Sequence, residues 1–219
     1  MPLSADTLAQ QLWQTLNVIN AQTGAPDPNP SPAIKAYAAG VVAMLQAAIV
    51  SHLPMMVTAT DAPPAAPIAG AAAQMGMMVA VGSVITAQAA PALGDPIAAA
   101  NMALENVAVG NYFMSSAQVN FPTGTIQGQS TATPLTPGAL VLGSGQMGQV
   151  AGISGSALYG MVAAAIPTVQ GPQQPSFYSA LCTYVMGAAQ VTYAPQTING
   201  ACTNSGQLVA AFGVGGTIS

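Results

Sequence analysis

Apolar positions recur at helical spacing in the first twenty residues, where Leu8, Leu12, Leu16 and Ile19 share one face behind Ser4. That pattern predicts a helix over Ser4–Thr23 with Ser4 as its N-cap. Comparable helical stretches are predicted at Ser83–Ala90 and Ser154–Ile166. Each runs into a proline-rich break: Pro26, Pro28 and Pro30; Pro91; Pro167 and Pro172. A second, alanine-rich helix then opens at Ser31-Pro32, Asp95-Pro96 or Pro175-Ser176. A capping side chain followed by proline at the first helical position is a start signal. The spacing then changes from helical to alternating. Val119, Phe121 and Thr125-Ile126, and again Val191, Tyr193 and Thr197-Ile198, follow the half-buried strand pattern, with Pro122 and Pro195 marking an edge or a bulge. Gln129–Pro137 and Ala201–Ser205 read as hairpin loops.

The same order returns along the chain, so the chain contains an internal repeat. Ala117-Gln-Val-Asn-Phe-Pro-Thr-Gly-Thr-Ile-Gln-Gly128 is matched by Ala189-Gln-Val-Thr-Tyr-Ala-Pro-Gln-Thr-Ile-Asn-Gly200. Upstream, Asn111-Tyr-Phe-Met114 answers Thr183-Tyr-Val-Met186. A weaker copy covers Met44–Met75, and Val50, Val119 and Val191 fall in corresponding columns, 69 and 72 residues apart. The predicted architecture is α+β: three tandem pseudo-repeats, at 1–81, 82–152 and 153–219, each with two short helices and a β-hairpin, in a pseudo-threefold arrangement.

Composition narrows the function. Among 219 residues there are one Lys or Arg, five acids and one His. The last charge is Glu105, so the chain from Asn106 onward has no Asp, Glu, Lys or Arg. Nucleic-acid binding needs clusters of Lys and Arg to neutralise phosphates, and Lys35 alone cannot supply one. Met1–Asp6 has no basic region followed by an apolar core, so no secretory signal is expected. Cys182 and Cys202 cannot build a disulfide framework or a four-ligand zinc site. Two free thiols or one disulfide remain.

Candidate chemistry is sparse. His52, placed by the helix pattern at the end of the second helix, has no nucleophile and orienting acid in its sequence neighbourhood, and a capping or surface role is expected. Gly143-Ser-Gly-Gln-Met-Gly148 has the dinucleotide-binding spacing, but no acid follows it, so strand kinks or bulges are expected. Met55, Met56, Met75, Met77 and Met78 read as packing residues rather than soft-metal ligands. Asp6 and Asp95 suit helix N-termini, while Asp27, Asp61 and Glu105 form no catalytic spacing. No catalytic, cofactor-binding or metal-ligating residue is assigned, no cofactor is implied, and an enzyme is not expected.

A chain so poor in charge is expected to have much of its surface covered by other molecules. Long low-charge runs at Ala36–Val50, Ile68–Ala90 and Gly138–Ile166 make a membrane protein the competing reading. Gln, Ser, Pro and glycine clusters interrupt those runs, and basic anchors and aromatic belts are missing. The recurring Ala-Gln-Val-x-(Tyr/Phe) motif with its Thr-Ile-x-Gly tail and the Gly-Val-Gly-Gly-Thr-Ile218 ending resembles small uncharged virion proteins of tailed bacteriophages, over roughly residues 106–219. The resemblance implies a structural component of capsid, neck, tail or baseplate. Its partners would be other virion proteins and copies of itself, with no nucleic acid. The alternative is a membrane-active ejection or channel-forming phage protein. The charge distribution further predicts that the C-terminal half is the more enclosed part.

Overall fold

Helix starts follow the capping chemistry. A computed structural model describes residues 3–52, 55–59, 67–72, 76–79, 82–130, 139–145, 148–151, 153–166, 174–193, 198–202, 208–213 and 216–219, with side chains described for 3–50, 82–121, 148–151, 153–166, 175–193 and 216–219. Helix α1 spans Ala5–Leu16, and the Ser4 hydroxyl accepts a hydrogen bond from the Thr7 N–H at 3.3 Å. Its buried face is Leu8, Ala9, Leu12 and Trp13. The helix stops seven residues before the expected Thr23 because Asn17 adopts a left-handed conformation, φ 49°, which asparagine tolerates better than most residues. Beyond it, Asn20 accepts from the N–H groups of Gln22 and Thr23, and the strand-like bridge Ile19 to Pro26 closes a tight loop.

Helix α2, Pro32–Ala47, begins where Ser31 Oγ accepts from the Ile34 N–H at 3.3 Å. Helix α3 is Ser83–Ala89; a 3-10 turn at Ala90–Ala92 follows at Pro91. Helix α4, Pro96–Ser116, starts with Asp95 Oδ1 accepting from Ile97 N–H at 2.9 Å. Helices α5 and α6 are Gly155–Ala165 and Gln174–Ala188. Successive helices pack on one another from α1 to α6, and α6 also packs on α1, so the six described α-helices form a closed circuit. Small residues set some of the spacings. A Cβ on Gly40 of α2 would lie 2.7 Å from the Ile85 Cα of α3, and one on Gly155 of α5 would lie 2.3 Å from the Ser179 Cα of α6. The core between them is Leu8, Leu12, Leu45, Ile85, Val109, Phe113, Leu158, Val162 and Leu181, all with no exposed surface. Burial of such side chains stabilises by about 1.5–3 kcal/mol each.

The described strands are β1 Ile49–His52, β2 Met55–Ala59, β3 Pro67–Ala72, β4 Gly76–Val79, β5 Gln118–Ser130, β6 Ala139–Gly145, β7 Gly148–Ala151, β8 Gln190–Thr192, β9 Ile198–Cys202, β10 Leu208–Gly213 and β11 Gly216–Ile218. Helices and strands fall into two separate compact units. All strand pairs are antiparallel, and the pairings close two six-membered circuits. One runs β1-β4-β5-β7-β8-β11 and back to β1. The other runs β2-β3-β5-β6-β9-β10 and back to β2. A closed circuit leaves no free edge.

Among the described strands, β5 alone belongs to both circuits. Between the two, Gly70 pairs with Ile126 but Ala72 pairs with Phe121, so β5 carries extra residues around Pro122. That is the bulge expected at this proline. The hairpin expectation needs one amendment: the chain in 1–81 and in 153–219 forms four described strand segments, two in each circuit. The first circuit buries Val50, Val119, Phe121, Val150, Val191, Tyr193 and Ile218. A Cβ on Gly148 would lie 2.8 Å from the Phe121 ring, and one on Gly216 would lie 2.8 Å from the Tyr193 ring. The two aromatic rings therefore cover glycines (their own centroids are 5.4 Å apart).

His52 corrects an expectation. It does not end a helix, since α2 stops at Ala47 and the β-branched Ile49-Val50 begins β1. His52 lies opposite Gly76 and two residues after Val50, as Phe121 and Tyr193 stand two residues after Val119 and Val191. The expected hairpin loops at Gln129–Pro137 and Ala201–Ser205 begin later than the sequence suggests, since Gln129 and Ser130 belong to β5 and Ala201 and Cys202 to β9; 131–137 and 203–205 lie outside the described residues.

Candidate functional site

The helical unit gathers the chain's most unusual polar group. Glu105 sits mid-way along α4, where Tyr178 of α6 donates its hydroxyl to Oε1 at 2.5 Å. The carboxyl makes no ion pair among the described residues. Lys35, the one basic residue, is exposed on α2. Burial raises the Glu105 pKa from its ordinary value, and the Tyr178 hydrogen bond opposes part of that rise.

Tyrosines and aromatic rings surround the carboxyl. Tyr37, on α2, is 3% exposed, and its hydroxyl is buried with no hydrogen-bond partner. Burial, then the Glu105 charge, then Cys182 push the Tyr37 pKa well up. Tyr178 is raised in the same way by burial, followed by Glu105. The Phe177 ring lies 5.6 Å from Tyr37 and edge-on to Tyr178 at 5.4 Å. Trp13 closes another side, its indole N–H donating to the Asp27 carbonyl at 2.8 Å. Together Trp13, Ile34, Tyr37, Met102, Glu105 and Phe177 bound most of a cavity of about 340 Å³. An apolar cavity with one carboxyl and one idle hydroxyl can hold a group that donates hydrogen bonds and carries positive charge. Nearby, the fully buried Asn106 donates to Thr86 Oγ1 at 3.4 Å, while its Oδ1 has no partner.

Two tyrosines tie helix starts to neighbouring helices. The Tyr112 hydroxyl, on α4, accepts from the Ser154 N–H at 2.6 Å and donates to the Ser154 carbonyl at 3.0 Å. Tyr184, on α6, does the same at Ser4, accepting at 2.7 Å and donating at 2.8 Å. Each hydroxyl satisfies both backbone groups of an N-cap residue, α5 in one case and α1 in the other. The second clamp borders a groove of about 420 Å³ between α1 and α6.

The residues singled out from sequence do not converge. Asp6 lies in the first turn of α1, and Asp95 caps α4. Asp27 accepts from the Asn29 N–H at 2.9 Å in the loop before α2. Asp61 and Met75 lie outside the described residues, and the side chains of His52, Met55, Met56, Met77, Met78 and Cys202 lie outside the described side chains. Of the glycine-rich run, Gly143–Gly145 belong to β6 and Gly148 opens β7. Cys182 is a buried free thiol whose pKa burial pushes up to about 11. No three His, Cys, Asp or Glu among the described residues come together to hold a metal. Sequence reasoning counted Glu105 only as a scattered acid. The signal available was its place as the final charge, inside a helix that needs none.

No protein-family profile, curated protein or solved structure matches the chain.

Proposed function

We propose that this chain is a non-enzymatic structural component of a tailed-bacteriophage virion, in capsid, neck, tail or baseplate, associating with copies of itself and other virion proteins through neutral surfaces. The observation that carries the reading is the outer face of α4. Ile97, Leu104 and Val107 are 73%, 53% and 50% exposed there, flanked by the exposed neutral side chains of Asn101 and Asn111. An exposed apolar stripe whose one exposed charged neighbour is Asp95, at the helix start, costs solubility in a free protein and is useful in an interface.

The finer architecture is part of the same proposal: three pseudo-repeats about a threefold axis, each giving a helix pair to the helical circuit and strand segments to both strand circuits. Its support is threefold. The element order recurs along 1–81, 82–152 and 153–219. Val50, Val119 and Val191 are all buried in one circuit. Tyr112 and Tyr184, in corresponding columns, make the same clamp. A subunit of that form suits a threefold position in a particle. No described helix is long and apolar enough to cross a membrane. A six-stranded ring is also narrower than the eight-stranded barrels whose interiors side chains already fill.

The test combines light scattering with negative-stain microscopy of the purified chain, alone and mixed with virion proteins from its source phage. Association that Leu104→Glu and Val107→Glu abolish, with Tm unchanged, is the expected result. A chain that remains a monomer in every mixture, or becomes monodisperse only in detergent, overturns the reading. Segments not related by rotations near 120° in an experimental structure would sink the repeat.

A further inference from the structure

The Glu105 cavity has the makings of a binding site that the assembly role does not require. Four observations meet there. It offers about 340 Å³ in a pocket open to solvent on one side, within the helical unit. Its one carboxyl has no cationic partner among the described residues, and Lys35, the chain's single Lys or Arg, is exposed. Tyr37 lines the cavity, and the Tyr37 hydroxyl is buried without a hydrogen-bond partner among the described residues. Three aromatic side chains, Trp13, Tyr37 and Phe177, stand around it. We propose that this cavity binds a primary alkylammonium group, with Glu105 and the Tyr37 hydroxyl accepting its N–H bonds and the aromatic and aliphatic walls enclosing its alkyl stem.

The chemistry selects this class over its neighbours. An anion would meet the carboxylate in a setting of low polarity, where like charges repel strongly. A plain hydrocarbon would leave the carboxyl with the Tyr178 hydrogen bond alone and the Tyr37 hydroxyl without a partner, and a buried polar group left unpaired is costly. An ammonium satisfies both acceptors, and aromatic faces attract cations further. Tyr178 keeps its role as a donor to Oε1, holding the carboxylate in place. Burial opposes ionisation of Glu105 in the free protein, so a bound cation would favour the ionised form. The titratable groups around the carboxyl are Tyr37 from α2 and Tyr178 from α6, with Cys182 beside Tyr37 and Tyr159 of α5 beside Tyr178. Helix α3 and the 3-10 turn contribute none. The alkylammonium could be a free amine or the side chain of a lysine on a neighbouring protein.

The test titrates the full chain with n-butylammonium at pH 8, followed by Trp13 fluorescence and calorimetry, with n-butanol as the neutral control of equal length. Saturable binding with a Kd on the order of 1–10 mM is expected for so small a probe, and n-butanol should bind at least tenfold more weakly. Glu105→Gln, which keeps an oxygen for Tyr178, should weaken n-butylammonium at least tenfold. Tyr37→Phe should weaken it several-fold without lowering Tm, a combination that a purely structural hydroxyl would not produce. If Glu105→Gln fails to fold, the pH series decides: affinity for n-butylammonium must fall as pH is lowered and Glu105 takes up its proton. An Nα-acetyl-lysine methylamide arm separates the sources, since binding as tight as n-butylammonium points to a protein lysine and exclusion to a free amine. Absence of saturation by n-butylammonium, equal binding of n-butanol, or affinity independent of both pH and Glu105 overturns the proposal.

Discussion

Replacing Tyr184 with Phe removes one oxygen and leaves the ring, 6% exposed in the wild type, in its place. The lost atom carries two hydrogen bonds to Ser4, at 2.7 and 2.8 Å. Each bond contributes about 0.5–1.5 kcal/mol net, so the pair contributes about 1–3 kcal/mol. The Ser4 carbonyl keeps the Leu8 N–H as donor, but Ser4 is half-buried, so water restores the freed N–H only in part, and the expected cost is about 2 kcal/mol. At the other clamp Ser154 is exposed, water reaches the freed groups, and Tyr112→Phe should cost about 1 kcal/mol. The clamps share no residue, so the double variant should lose the sum. Urea unfolding followed by Trp13 fluorescence reads these losses directly, because Trp13 is the only tryptophan and lies in α1, the helix that Tyr184 anchors. Tyr159→Phe is the control, its ring beside Tyr178 and its hydroxyl bonding no described residue; it should change stability by less than about 0.5 kcal/mol. If Tyr184→Phe costs no more than this control, or less than Tyr112→Phe, the clamp argument is wrong.

Glu105 gives a pH signature. Because its pKa is raised in the folded state, stability from the neutral carboxyl is fully present below its ordinary value of 4.5 and lost as pH rises through the folded value. Denaturation midpoints should therefore decline for the wild type over that range and stay flatter for Glu105→Gln; a wild-type midpoint that climbs instead refutes the assignment. On α5, Gly155→Ala should destabilise by at least about 1–3 kcal/mol, since its new methyl would lie 2.5 Å from the Ser179 N of α6. Gly160→Ala, exposed with nothing within 4 Å, should stabilise by about 0.5–1 kcal/mol. Thermal melts that rank these two the other way contradict the packing described. In a Cys202→Ala background, Cys182, buried and with a pKa near 11, should resist a thiol reagent at pH 8 until urea unfolds the chain; prompt labelling of the native protein would contradict its burial.

Local signals were legible wherever a single side chain decides. Ser4, Ser31 and Asp95 cap the helices they were expected to open, and the alternation at Val119 and Val191 marks real strands. Boundaries shifted where one residue's backbone preference outweighs the apolar pattern, as Asn17 does in ending α1. His52 was misplaced because an alanine-rich run has no stop signal of its own, and the β-branched pair after it decides the change. The two strand circuits were not legible. Alternation reports which side of a strand is buried, but not that its two halves have different neighbours. The Glu105 site was hidden for a related reason: Tyr37, Glu105 and Tyr178 are far apart in sequence, and only the helical circuit brings them together.

The closure of the circuits constrains when the protein can fold. The register that joins Ile49 to Thr217, like the contact of α6 on α1, links the beginning of the chain to its end. Synthesis at about 5–20 residues per second takes roughly 10–30 s to run from the first strands to the last, and throughout that time β1 and β2 lack the partners that β11 and β10 will supply. Contacts so distant in sequence are slow to form, and strands waiting with an open edge can pair with the wrong chain. A protein nearly without charge has few residues to discourage such pairing. Yield of the folded chain should therefore depend on dilution, temperature and holding chaperones during expression more than on the stability of the finished structure.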